Sequence, residues 1–247
     1  MSLDFAPTGA AAPRSQQVWA HAKTEATLLL RNGEQLLLAL VIPIGILVAG
    51  RWFGPALGWS FEVVAPSVLA LAMWTTCFTA LAISTGFERR YNVLERISAT
   101  PLGTSGILLG KAVGFALITA GQAAVLAAVA FGIGWRPAFE PKHLLVALLA
   151  SGIGMVAFAG LGLTLAGSLR AEVTLALANL GHLVGMAAGL LIPLADYPPV
   201  IRPLVALLPT SALGEAVRYG SLFSLPILAA WCVAGLLLAR KVFSWTS

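Results

Sequence analysis

Long apolar stretches alternate with short polar ones along the chain. Runs without Asp, Glu, Lys or Arg cover residues 35–50, 52–61, 63–87, 112–135, 144–169, 173–195 and 219–239. A helix must supply roughly 20 apolar residues to cross a hydrocarbon layer about 30 Å thick. The 52–61 run is too short and carries Gly54, Pro55 and Gly58, so it predicts a loop. The other six predict membrane-spanning helices, at about 34–50, 63–86, 107–134, 144–168, 173–194 and 222–241. The first is short, but Leu28–Leu30 and a snorkelling Arg31 extend its apolar surface, and Pro43 predicts a kink. Residues 16–33 form an amphipathic segment with Trp19, Leu28 and Leu29 as apolar anchors, expected to lie on the membrane surface. The pattern predicts an all-α membrane protein with one transmembrane domain over 16–247. Residues 1–15 are Ala/Pro/Ser-rich without an apolar run; they predict a disordered cytoplasmic tail rather than a secretory signal.

The longest link, 195–221, contains Pro198, Pro199, Pro203 and Pro209, which divide it into pieces too short to span. Two short helices are expected there, dipping into the outer leaflet or capping the bundle. The second begins at "PTSALGE", which resembles a helix N-cap. Within the fifth span, Gly181, Gly185 and Gly189 recur every four residues. Such a stripe of small residues serves either packing within the chain or a dimer seam between two copies.

Composition agrees with the pattern. The chain is 59% hydrophobic and 10% charged, against about 25% charged for soluble domains. Its net charge of +5 would suit nucleic acid, but the basic residues are distributed by loop. With the N-terminus inside, Arg14, Lys23, Arg31, Arg89, Arg90, Arg96, Lys111, Arg170, Arg240 and Lys241 are cytoplasmic. Arg51, Arg136, Lys142, Arg202 and Arg218 are external, so positive charge dominates inside and both termini are cytoplasmic. Membrane lipid, not nucleic acid, is the partner this implies. Cys77 and Cys232 both fall within spans, which argues against a disulfide scaffold and against a metal site.

The stretch "FERRYNVLERISATPLGTSGILLGKAVG", from Phe87 to Gly114, interrupts this apolar regime. Phe87, Tyr91, Leu94 and Ile97 share a helical face, while Glu88, Arg89, Asn92, Glu95 and Arg96 occupy the rest. This predicts a short amphipathic helix in the inner loop, ended at Thr100–Pro101, with Thr104 or Ser105 capping the third span. It is either a solvated or membrane-lying loop helix or a docking element, and its mixed charge suits a protein surface better than a headgroup layer. "GILLGKA" is not a phosphate loop: Ser105 and Ala112 stand where that motif needs Gly and Ser/Thr. Lys111 is expected to snorkel to the inner interface.

Three segments resemble the permease subunits of type-2 ATP-binding-cassette (ABC) exporters, a family that includes antibiotic-resistance and polysaccharide exporters. They are "TEATLLLRNGEQLLLALVIPIGILV", "ERRYNVLERISATPLGTSGILLGK" and "IPLADYPPVIRPLVALLPTSALGEAVR". The middle one is similar to a family pattern of Glu-Arg-Glu, Gly-Thr-Leu-Glu, Thr-Pro and Leu-Leu-Gly-Lys. It departs from that pattern at Arg90, where the family has an acid, and at Asn92–Val93, where Gly-Thr is usual. The resemblance implies a dimer, of identical or related chains, in a bacterial plasma membrane. A separate ABC ATPase subunit would sit under each half and carry ATP and Mg2+, leaving no cofactor, metal or catalytic group in this chain. It further implies that Glu88, Arg89, Tyr91, Leu94, Glu95, Arg96 and Ile97 form a coupling helix to that ATPase, with 16–33 completing the contact.

Polar residues inside spans tend to face a cavity or a neighbouring helix. Thr75, Thr76, Thr79, Asn179 and His182 are therefore candidates for a substrate pathway. No Asp or Glu lies near a span centre, which disfavours a proton-driven antiporter. The apolar surroundings suggest a lipophilic or amphiphilic cargo, such as a drug, antibiotic or lipid, so multidrug efflux is one expectation. A lipid-linked glycan exporter and a non-transporting membrane subunit are alternatives. "GTSG" and "HLVGMAAG" also resemble the serine and histidine motifs of rhomboid proteases, which would require Ser105 to meet His182.

Overall fold

A computed structural model describes residues 12–31, 33–137 and 140–244; of 34–38 only the helical backbone is described. Helix α1 (Arg14–Arg31) is followed by α2 (Gly33–Trp52), which contains Pro43. The second span is one 30-residue rod, Phe61–Arg90. It consists of α3 (Phe61–Trp74), a π-helical segment (Thr75–Ala80) and α4 (Leu81–Arg90). Then come α5 (Val93–Ser98), α6 (Gly103–Gly132) and α7 (Pro141–Ser168). Helix α8 (Ala171–Gly185) runs into a distorted turn, Met186–Leu190. Two short helices, α9 (Arg202–Ala206) and α10 (Pro209–Tyr219), precede the last, α11 (Ser224–Val242). Among the described residues five helices are long and apolar enough to cross a membrane, and a shorter apolar stretch, Ala39–Trp52, lies in α2. The protein is an all-α membrane protein, as the pattern predicts.

Helix α7 runs through the core, against α11, α10, α4 and the π segment. Small residues make this possible. A Cβ on Gly160 would lie 2.8 Å from the Gly235 backbone, and one on Gly162 would lie 2.8 Å from the Phe78 carbonyl oxygen. Where lipid surrounds the bundle, such backbone-to-backbone approach replaces the hydrophobic drive of a soluble core. Trp74 stacks on Phe78, with ring centroids 4.1 Å apart, and meets Phe158 edge-on at 4.8 Å.

Several expectations need correction. Residues 1–11 lie outside the described residues, but Arg14 and Ser15 belong to α1, so the expected tail to residue 15 is too long. Helix α1 is not merely a surface segment. Ala22 and Glu25 are buried against α6, because Gly110 and Gly114 let its backbone come close. The third span begins at Gly103 without a side-chain cap, so neither Thr104 nor Ser105 caps it.

The glycine stripe of α8 packs within the chain. A Cβ on Gly181 would meet the Phe78 ring at 2.9 Å, and one on Gly185 the Trp74 indole at 2.5 Å. Gly189 has φ +93° and sits against the Ser211 backbone. All three glycines therefore have packing partners within the chain, as the first of the two alternatives expects. Their neighbours Leu180, Leu183 and Val184 are the exposed ones.

The outer link does form two short helices, but α10 is largely buried rather than a surface cap. Its first residue is Pro209, after an uncapped Leu208. Thr210 donates instead to the Ala188 carbonyl, at 2.7 Å.

Candidate functional site

The π segment puts one wide turn in the middle of the second span. Thr75 Oγ1 donates to the Leu71 carbonyl at 2.8 Å, satisfying a backbone group locally. Thr76 donates to Gln122 Oε1 at 2.8 Å, and the Gln122 amide donates to the Ala39 carbonyl at 2.6 Å. This chain of bonds ties α2, the π segment and α6 together. Thr79 Oγ1 is buried without a hydrogen-bond partner among the described residues.

These threonines form the polar floor of a cleft of about 350 Å³. Its walls come from α2 (Ile42, Pro43, Ile46) and α8 (Asn179, His182, Met186), with Leu29 and Leu30 of α1 at one end. The five residues singled out from sequence, Thr75, Thr76, Thr79, Asn179 and His182, all line it. His182 Nδ1 lies 3.4 Å from Thr75 Oγ1, and Asn179 Nδ2 donates to the Leu175 carbonyl at 3.0 Å. The cleft is otherwise apolar, with a few hydroxyl, amide and imidazole groups on one side. That arrangement admits a lipophilic body and orients one polar handle.

The charged block lies at one end of the bundle and is not one helix. Phe87–Arg90 continue the second span. The chain breaks at Asn92, whose φ is +57°, and restarts as α5. Asn tolerates this left-handed conformation and glycine adopts it more readily. That explains why Asn can stand where the resembled pattern carries Gly.

Glu88 and Arg89 consequently face inward. Lys111 Nζ donates to Glu25 Oε2 and to Glu88 Oε1, both at 2.8 Å, and its side chain is fully buried. The expected snorkelling of Lys111 is thus replaced by a buried ion triad joining α1, α4 and α6. Two carboxylates close by remove the need for the ammonium to reach water. His21 sits beside this triad, its Nε2 3.5 Å from Glu25 Oε1. Burial pushes the His21 pKa below its ordinary value of 6.5; Glu25 opposes that shift and Lys111 reinforces it.

Arg89 turns the other way. It donates to the carbonyls of Gly167 (2.5 Å) and Leu169 and to Ser244 Oγ (3.0 Å). A buried cation thereby caps the C-terminal end of α7, where free carbonyls and the helix dipole favour positive charge. Arg90 pairs with Glu172 in the first turn of α8.

Only part of the expected coupling set remains at the surface. Leu94 is buried with Leu102 and Ile107 and anchors α5 beside Val18 of α1. Ile97 is half-buried, while Tyr91, Val93, Glu95 and Arg96 are exposed.

Arg218 is the main site residue that sequence reasoning missed. It is buried and donates to the carbonyls of Gly189 and Leu190 at 2.7 Å, to Ser67 Oγ and to Glu215. It thus satisfies the backbone that the turn at 186–190 releases, which hydrocarbon would otherwise leave unpaired. An arginine at the end of an amphipathic outer helix was the available signal. Glu25, the lone acid in "KTEATLLL", was the corresponding signal for the triad.

Ser105 and His182 do not come together. Ser105 accepts a hydrogen bond from Arg14 and lines a different groove from the cleft that holds His182. The protease alternative has no dyad.

The family model for the ABC-2 type transporter matches residues 16–222. The chain belongs to the ABC-2 type transporter family. It is a multi-pass permease component of such a transporter. No curated protein matches it closely enough to count as a relative. In this ABC-2 permease, the matched region takes in the interfacial helix, the charged block, the cleft and the outer helix that carries Arg218.

Proposed function

We propose that this ABC-2 permease moves a lipophilic or amphiphilic substrate outward across a bacterial plasma membrane. It would do so as a dimer, driven by a separate ABC ATPase that carries ATP and Mg2+. The observation that carries the proposal is the physical link between an exposed docking segment and the cleft. Tyr91, just before the break at Asn92, and Val93, Glu95 and Arg96 on α5 offer an apolar and mixed-charge surface. Leu94 fixes α5 to α1 and α6, and Glu88 ties the adjoining end of the second span to the same two helices. That span carries the threonine floor of the cleft. A push on α5 is therefore delivered to the cleft through packed and ion-paired contacts, as a rigid-body shift.

The side bearing α1, α5 and the end of α11 is assigned to the cytoplasm by its basic residues. The apolar lining of the cleft favours a drug, antibiotic or lipid over a bare sugar. The test is charge reversal of Glu95 and Arg96 (Glu95→Arg with Arg96→Glu) in the full complex reconstituted in vesicles. Substrate-stimulated ATP hydrolysis and efflux of a lipophilic dye should fall at least tenfold, while the permease keeps its monodisperse elution. Normal co-purification with the ATPase and normal efflux would remove α5 from the docking surface.

A further inference from the structure

A second groove, of about 450 Å³, lies on another face, between α6, α7 and α11. Its walls are apolar, with Leu109, Val113 and Ala116 on α6, Val156 and Leu163 on α7, and Leu236 on α11. Arg14 and Arg240 flank one end beside Ser105, and among the described residues no acid lines the groove. Arg14 holds Ser105, whereas Arg240 is exposed and makes no hydrogen bond or ion pair among the described residues. From Ser105 to Ala116 the groove follows α6 for about 16 Å at 1.5 Å per residue. That is about half of a 30 Å hydrocarbon layer, the depth of one leaflet. Charge at the surface end, apolar walls and single-leaflet length together match one class of molecule.

The geometry points to a binding site for an anionic phospholipid, with its phosphate between Arg14 and Arg240 and an acyl chain along α6. Anionic headgroups are attracted to paired basic residues at an interface, and exposed leucine and valine side chains accept the chain. The site is separate from the threonine-floored cleft: the two share no lining residue.

The test uses the full-length protein in phosphatidylcholine nanodiscs containing phosphatidylglycerol with a diazirine on its acyl chain. The comparison is phosphatidylcholine bearing the same diazirine. Phosphatidylglycerol should label peptides covering 105–116 and 155–163 about tenfold more than phosphatidylcholine does. Arg14→Gln with Arg240→Gln should reduce that labelling to the phosphatidylcholine level. Val156→Trp, which fills the groove but keeps both arginines, should reduce it for both lipids. If the double variant does not fold, Arg240→Gln alone decides the question, since it breaks no bond among the described residues. Equal labelling by both lipids, or labelling unchanged in the arginine variants, overturns the assignment. So does displacement of the probe by excess lipophilic dye, which would make the groove a cargo site. A disulfide-linked dimer of Val156→Cys would give it to a second copy and overturn the assignment as well.

Discussion

At the residue scale, Lys111 has the largest predicted effect. Its ammonium bridges Glu25 and Glu88, and its side chain is fully buried. Lys111→Met leaves two carboxylates facing each other in a buried site, so thermal unfolding in detergent should show a loss of about 3–5 kcal/mol. Removing the whole triad, by Glu25→Leu, Glu88→Leu and Lys111→Met together, should recover most of that loss, because no uncompensated charge remains. His21 adds a pH dependence. Its folded pKa lies below 6.5, so the folded state binds fewer protons than the unfolded state in that window. The stability tied to neutral His21 is present above pH 6.5 and is lost as pH falls towards the folded value. The unfolding midpoint should drop on acidification below 6.5, and His21→Gln should flatten that part of the curve.

At the element scale, helix α8 has two unlike faces. The glycine face meets Trp74, Phe78 and Thr210, and the leucine face is exposed. Gly185→Val would drive a branched side chain into the Trp74 indole and should give aggregated or poorly expressed protein. Leu183→Ala, two positions away on the exposed face, should leave elution and unfolding midpoint nearly unchanged. Any effect of Leu183→Ala on activity then reports on what covers that face. The break before α5 is a second element-scale feature. Asn92→Gly should be neutral, whereas Asn92→Val should cost about 1–2 kcal/mol for a left-handed backbone, read as a lowered unfolding midpoint.

At the scale of the whole molecule, one 30-residue rod connects the charged end beside α5 to the cleft. Ile42 is exposed and lines the opposite wall of that cleft. Ile42→Trp should fill the cleft and abolish dye efflux while the complex still assembles and the permease still elutes as a single species. Efflux that persists with the cleft filled would move the pathway elsewhere. The five cleft residues were legible in the sequence because polar groups inside apolar runs are rare and must face something other than lipid. The inward-facing members of the charged block were not. Phe87 to Ile97 keeps a helical period throughout, and periodicity alone cannot reveal the left-handed Asn92 that reorients the segment. The fates of Glu88 and Arg89 depend on Lys111 and on the end of α7, which are distant in sequence.

The sequence by itself determined the fold class and singled out five polar residues that line the cleft. Both follow from where the chain can and cannot meet hydrocarbon, a local cost that each residue meets on its own. Only the tertiary structure decided which charges are buried, which way the glycine stripe of α8 faces, and that α10 lies inside the bundle. Those outcomes are pairwise. A lysine can stay buried only if two acids from other helices reach it, and a glycine matters only for the ring that fills its space.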